Sequence, residues 1–211
     1  MRSDGLLMHY ASMNDYLKIL DIIESCKEDV NDRSREGYTA LHFAAANNAW
    51  ESIDILLKMG ADVNARDKDG YTPLHWSFTN PNIVTIKQLL NYGADILAEV
   101  VFPRLGETLY AQDNILSLLS VEWLEEQIHY ANLAGYNYLG RKQLIKAVDH
   151  YNELGLISNA FAKCYKQIIK YAAIEDIKGI SKYVGDVTYI ASNQAGYTSL
   201  AGDHSDDEDF E

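Results

Sequence analysis

Apolar residues along the chain fall into short stripes of helical period, separated by polar segments rich in Asp, Asn, Arg and Gly. Ile53, Leu56 and Leu57 stand at i, i+3 and i+4, on one face of a helix. Leu41, Ala44 and Ala45 form a narrower stripe one helix earlier, small enough to let a neighbouring element approach closely. Further on, Ile115, Leu116, Leu119, Trp123, Leu124 and Ile128 keep the helical spacing, as do Phe161, Tyr165, Ile168, Ile169 and Ala172. Glycines at 135, 140, 155, 179 and 185 punctuate this second half, predicting helices near 113–134, 141–154 and 158–178, the last opened by Ser158 as an N-cap. Short glycine-containing links between such helices favour antiparallel neighbours in a small bundle. Residues 186–211 lose the period altogether.

The stripes repeat. Gly37-Tyr38-Thr39-Ala40-Leu41-His42 recurs as Gly70-Tyr71-Thr72-Pro73-Leu74-His75, an offset of 33. The same offset relates Gly60-Ala61-Asp62-Val63 to Gly93-Ala94-Asp95-Ile96, and Ile55-Leu56-Leu57 to Gln88-Leu89-Leu90. Counting 33 back from the first copy lands on His9, Ala11, Leu20, Ile22, Ile23, Asp29, Val30 and Asn31. Three units therefore run in register over about residues 4–99. Thr39 and Thr72 stand where an N-cap hydroxyl is useful, Pro73 suits a first helical turn, and Gly60 and Gly93 suit a left-handed helix stop.

These strings at this spacing resemble ankyrin repeats. The resemblance implies a β-turn finger followed by two antiparallel helices in each unit. For the chain it implies an all-α ankyrin-repeat solenoid capped by a C-terminal helical region. The first unit departs from the pattern: Gly5 is one place off register, Leu6-Leu7-Met8 replaces the polar turn, and Lys27-Glu28 replaces Gly-Ala. Its helices are expected at about 8–12 and 16–26. Gly106-Glu107-Thr108-Leu109-Tyr110-Ala111 echoes the finger string at an offset of 36, so residues 106–134 read either as a degenerate fourth unit or as a capping helix pair. The expected domains are 1–105 for the repeats, 106–185 for the helical cap and 186–211 for a flexible acidic tail.

Charge changes the picture of partners. The 211 residues hold 18 basic and 31 acidic side chains, a net charge of −13, and six of the last nine residues are acidic, leaving −7 for residues 1–202. Such a balance argues against a nucleic-acid or anionic-membrane binder. The tail is read as a solvating segment, a binding segment for a basic partner, or an address, since acidic C-terminal runs resemble export signals of some bacterial effectors with ankyrin repeats. Two cysteines 138 residues apart make neither a disulfide framework nor a thiolate metal site. No apolar run is long enough to span a bilayer, and the first residues do not form a signal peptide. The expected location is cytoplasmic, or a host cell if the chain is a bacterial effector.

No phosphate-loop, zinc-protease or serine-hydrolase motif occurs, so no catalytic residue, metal or cofactor is assigned. Cys164 with His129 or His150, and a cluster of Glu122, Glu125, Glu126 and Glu153, are the side chains a rival reading would use. In that rival, the C-terminal helices carry an enzymatic or host-modifying activity and the repeats act as its targeting arm. The resemblance makes His42 and His75 structural, and implies binding of another protein on the fingers and first helices. In the second unit this face comprises Arg33, Arg35, Glu36, Tyr38 and Asn47; in the third, Arg66, Lys68, Asp69, Tyr71 and Asn80. Tyr38 and Tyr71 are expected to project side by side, and tyrosine and arginine dominate many interfaces. The leading expectation is a monomeric protein-interaction module or adaptor.

Overall fold

The computed structural model describes residues 5–100, 113–114 and 135–172. Each predicted unit contributes two helices: α1 (Leu6–Ser12) and α2 (Tyr16–Cys26), α3 (Ala40–Ala46) and α4 (Trp50–Lys58), α5 (Pro73–Trp76) and α6 (Ile83–Asn91). The first helices stack α1 on α3 on α5, and the second helices stack α2 on α4 on α6. The small-residue stripe explains the first layer. Ala11, Ala44 and Ser77 share one register position and are completely buried where neighbouring first helices meet. Leu41, Leu74, Ile53, Ile86, Leu56 and Leu89 fill the space between the layers. Each such aliphatic side chain contributes about 1.5–3 kcal/mol on burial.

Three local departures have physical causes. The first helix begins at Leu6, two residues before the expected start, because Gly5 at φ 110° turns the chain and its carbonyl accepts the His9 N–H at 2.8 Å. α5 is only four residues long and passes into a 3₁₀ turn, Ser77–Thr79. There the Ser77 and Thr79 hydroxyls donate to the carbonyls of Leu74 (2.7 Å) and Trp76 (2.8 Å), and Asn80 is held out of the helical region by Pro81. Thirdly, the left-handed residue that follows each second helix is Gly60 (φ 92°) and Gly93 (φ 90°) in the later units but Lys27 (φ 54°) in the first.

After α6 the chain forms a short antiparallel ladder, β1 (Glu99–Val100) with β2 (Asp113–Asn114), pairing Glu99 with Asn114 and Val100 with Asp113. Asp113 and Asn114 therefore pair with the third unit's exit, where the sequence pattern had a helix starting; residues 115–134 lie outside the described residues. Two further helices follow, α7 (Tyr138–Glu153) and α8 (Asn159–Ala172). α7 starts three residues earlier than expected because Asn137 caps it, accepting the Gly140 N–H at 3.0 Å, so Gly140 lies inside the first turn and does not break it. Ser158 Oγ accepts the Phe161 N–H at 3.2 Å ahead of α8, as the N-cap pattern predicted.

α7 packs on α6, continuing the second-helix layer, and α8 packs on α7. The junction is an amide clasp. Asn91 Nδ2 donates to the Gly135 carbonyl (2.7 Å), Asn91 Oδ1 accepts the Asn137 N–H (2.9 Å), and Asn137 Nδ2 returns to the Asn91 carbonyl (2.8 Å). Gln143 Oε1 accepts the Ile96 N–H, and Lys146 pairs with Asp95 at 3.2 Å. Tyr136, Tyr151 and Tyr165 are buried, Tyr165 edge-on to Phe161 at 4.4 Å. Burial raises the Tyr136 pKa above the ordinary phenol value.

A non-glycine residue in the left-handed region carries a steric cost of about 1 kcal/mol that glycine avoids. Lys27→Gly is therefore expected to stabilise the chain by about 0.5–1 kcal/mol, measured as a rise in the urea unfolding midpoint. An unchanged or lowered midpoint would show that the lysine side chain offsets the strain.

Candidate protein-interaction face

Each finger is a tight loop built around one side-chain acceptor. In the second unit Ser34 Oγ accepts the N–H groups of Glu36 (3.2 Å) and Tyr38 (3.1 Å). In the third unit the same position is Asp67, whose Oδ1 accepts from Asp69 (3.0 Å) and Tyr71 (2.9 Å). Neighbouring fingers touch through main chain, with Lys68 N–H donating to the Glu36 carbonyl at 3.0 Å. Gly37 sits at φ 83°, and a Cβ there would lie 3.0 Å from Lys68 N and 3.2 Å from Asp67 Cα. Glycine is required by both conformation and contact.

The candidate binding residues separate into two groups. Arg33 Nη1 donates to the Arg66 carbonyl of the next finger at 2.6 Å and to Gly37 of its own at 3.4 Å. Arg66 repeats this one unit later, to Glu99 (2.8 Å) and Gly70 (3.0 Å). Arg33 thus ties finger to finger and Arg66 ties its finger to β1, each through Nη1, and both side chains remain exposed. Arg35, Glu36, Lys68 and Asp69 stand exposed at the tips, with Lys68 and Glu36 forming a loose pair at 3.8 Å that contributes little to stability. Asn47 and Asn80 are exposed at the far ends of the first helices; Asn47 Nδ2 caps the Phe43 carbonyl at 2.9 Å, and the Asn80 carbonyl accepts from Asn48.

Tyr38 and Tyr71 take different neighbours. Tyr38 meets Trp76 of the next unit edge-to-face at 4.7 Å and Phe43 of its own at 5.9 Å, whereas Tyr71 meets His75 at 5.6 Å. Trp76 also contacts Phe43 (5.7 Å) and His42 (5.4 Å). Its indole N–H donates to Asp67 Oδ2 at 3.0 Å, so one buried carboxylate ties the finger to the helix behind it. Tyr38, Phe43 and Trp76 are half-buried and form one aromatic patch across two units. The sequence reading missed Phe43, Trp76 and Asp67. The usable signal was register: Phe43 and Trp76 are 33 apart, each directly after a repeat histidine.

The histidines belong to the repeat itself. His75 Nδ1 accepts the Thr72 N–H at 3.2 Å while Thr72 Oγ1 accepts the His75 N–H at 3.5 Å, a capping box. His42 Nδ1 likewise accepts the Thr39 N–H at 3.1 Å. His42 Nε2 lies 3.1 Å from the Tyr71 carbonyl, which can only accept, so Nε2 carries the proton and the ring is neutral. Two amide ties add to this joint. Asn31 holds the Gly60 carbonyl (3.0 Å) and the Asp62 N–H (2.7 Å), and Asn64 holds Gly93 (3.3 Å) and Asp95 (2.8 Å) in the same way.

Residues 8–99 match a family model described as ankyrin repeats, in three copies. These residues are ankyrin repeats. No curated protein matches the chain. Ankyrin repeats are generally protein–protein interaction modules, and the family is typically non-enzymatic. Of the side chains considered for chemistry, His150 is on α7 and Cys164 on α8, while His129, Glu122, Glu125 and Glu126 lie outside the described residues. Among the described residues no three His, Cys, Asp or Glu side chains gather as metal ligands, and no helix is long and apolar enough to cross a membrane.

Burial holds His42 below the ordinary imidazole pKa of 6.5, with the Tyr71 hydrogen bond opposing part of the shift. The unfolded chain then binds this proton more readily than the folded one, so the neutral-ring contribution is complete above pH 6.5 and falls away as the pH drops. The melting temperature should fall between pH 7 and pH 5, and His42→Gln should flatten that slope relative to the parent. Equal slopes in parent and variant would place the acid sensitivity elsewhere.

Proposed function

We propose that the chain is an adaptor that binds another protein through its fingers and first helices. The observation that carries this reading is the half-buried aromatic patch of Tyr38, Phe43 and Trp76, flanked by the exposed tips Arg35, Glu36, Lys68 and Asp69. Aromatic rings already packed against one another lose little conformational freedom when a partner covers them, so the face is pre-organised. The tips alternate basic and acidic charge, so the net −13 of the chain does not extend to this face and selection rests on shape and aromatic contact. In this proposal Tyr71, Asn47 and Asn80 extend the same surface, and Arg33 and Arg66 act indirectly by fixing finger spacing. Residues 106–185 act as the cap of the stack, and the acidic segment 186–211 keeps the assembly soluble.

The test begins with affinity purification on the intact chain, followed by titration of the identified partner. Tyr71→Ala and Arg35→Glu should each weaken binding by about tenfold or more, with melting temperatures close to that of the parent. Tyr38→Ala is a poorer probe because it also removes the packing on Trp76. Unchanged affinity in both finger variants would rule out this face.

A further inference from the structure

Charge is segregated along this chain. Residues 5–100 carry 14 acidic against 8 basic side chains, a net −6, whereas residues 135–172 carry 6 basic against 2 acidic, a net +4. The last nine residues hold Asp203, Asp206, Asp207, Glu208, Asp209 and Glu211 with no lysine or arginine, a net −6. The positive set lies on the two C-terminal helices. α8 has Lys163, Lys166 and Lys170 on the side away from its buried residues Phe161, Tyr165 and Ile169, and it has no carboxylate of its own. Lys142 stands exposed on the outer side of α7, four residues before Lys146. Two of these five lysines are committed: Lys166 to Asp149 of α7, which ties the two helices together, and Lys146 to Asp95. Lys142, Lys163 and Lys170 are exposed and have no carboxylate partner among the described residues. A face of one sign attracts the opposite charge and repels its own.

We propose that the acidic C-terminal run, residues 203–211, docks on this lysine face of α7 and α8 and masks it within the same chain. Three observations select this occupant. Face and run are opposite in sign and similar in magnitude, +4 against −6. The repeats, at −6, repel the run, which leaves residues 135–172 as the attractive region among the described residues. Chain length permits the contact. Ala172 and Asp203 are 31 residues apart, an extended reach of about 100 Å. The run itself spans about 30 Å when extended, enough to follow the 14 residues of α8, which are about 21 Å long. Exposed ion pairs are individually weak and are screened over about 10 Å at 0.1 M salt, so closure draws on tethering. A run that binds in trans with a Kd of about 0.1 mM, held at an effective concentration of about 1 mM, is about 90% docked. It then lowers the apparent affinity of a free acidic segment about tenfold. The cap thereby acquires a salt-sensitive gate against acidic segments of other proteins, separate from the finger face.

The experiment titrates a fluorescently labelled peptide of residues 203–211 against the full chain at low salt, read by anisotropy. Replacing the run's charges together (Asp206→Asn, Asp207→Asn, Glu208→Gln and Asp209→Asn) opens the face in a chain of unchanged length. Saturable binding to this open variant, about tenfold weaker binding to the parent, and loss of both at about 0.5 M salt is the expected result. Adding Lys163→Gln and Lys170→Gln to the open variant should weaken the peptide about tenfold, with the melting temperature held because both side chains are exposed. Adding Lys18→Gln, at an exposed lysine of α2, should leave the affinity unchanged. Zero-length carbodiimide coupling on a mixture of light and heavy-isotope parent chains should join the run to Lys142, Lys163 or Lys170 of the same chain. Equal peptide affinity for parent and open variant, no binding, or binding untouched by the α8 glutamines overturns the proposal. So do links that join light to heavy chains, which would give the face to the tail of a second copy. None of these substitutions lies on a finger, so this proposal and the finger-face reading fail separately.

Discussion

The segments that lead from one unit into the next, residues 27–39 and 59–72, have peptide groups that no helix satisfies, and stacking these two fingers side by side shields part of them from water. In this chain the preceding unit supplies the partners. Arg33 reaches the Arg66 carbonyl, His42 the Tyr71 carbonyl, Asn31 the Gly60 carbonyl, and Arg66 and Asn64 repeat the pattern one unit later. Each bond contributes about 0.5–1.5 kcal/mol net, more where a guanidinium donates. Their larger effect is geometric, since they set the distance and rotation between units before any surface side chain is considered. The aromatic patch depends on that setting, because Tyr38 and Trp76 belong to different units and meet only when the fingers are aligned.

The same logic couples the stack to its C-terminal helices. The last second helix would present an uncovered side to water, and α7 closes it with the clasp of Asn91 and Asn137 and with Gln143 on the Ile96 N–H. In linear stacks stability is a sum of unit and nearest-neighbour terms, so the end units are the weak points. The chain places a strained Lys27 in its first unit and well-satisfied amides at its third, which biases opening toward the N-terminal end.

Much of this was legible in the residues. The 33-residue offset located all six repeat helices, because a stacked unit must return the same apolar face at the same interval. Thr39, Thr72, Pro73, Gly60 and Gly93 marked their ends through capping and left-handed geometry that few other residues satisfy. Helix starts at Leu6 and Tyr138 were less legible, since the caps are Gly5 and Asn137 and neither is followed by a strong stop-and-start pattern. The roles of Arg33 and Arg66 were not legible at all. An arginine in a turn reads equally well as a contact for a partner or for a carbonyl, and only spatial proximity of two fingers decides. Trp76 was missed for a related reason: its indole is shared between a helix face and a buried carboxylate nine residues earlier.

The finger-to-finger bonds have one further property, which is that nearly all their acceptors are main-chain carbonyls. A carbonyl is present whatever the side chain, so Arg66, Tyr71, Gly60 and Glu99 receive their bonds without regard to what they display to solvent. The tips at Arg35, Glu36, Lys68 and Asp69 are thereby uncoupled from the joinery behind them. Substitution there can rewrite the displayed surface while the donors Arg33, His42, Asn31, Arg66 and Asn64 hold the frame. Evolutionary drift, or deliberate randomisation of a library, can change these positions at small cost in stability.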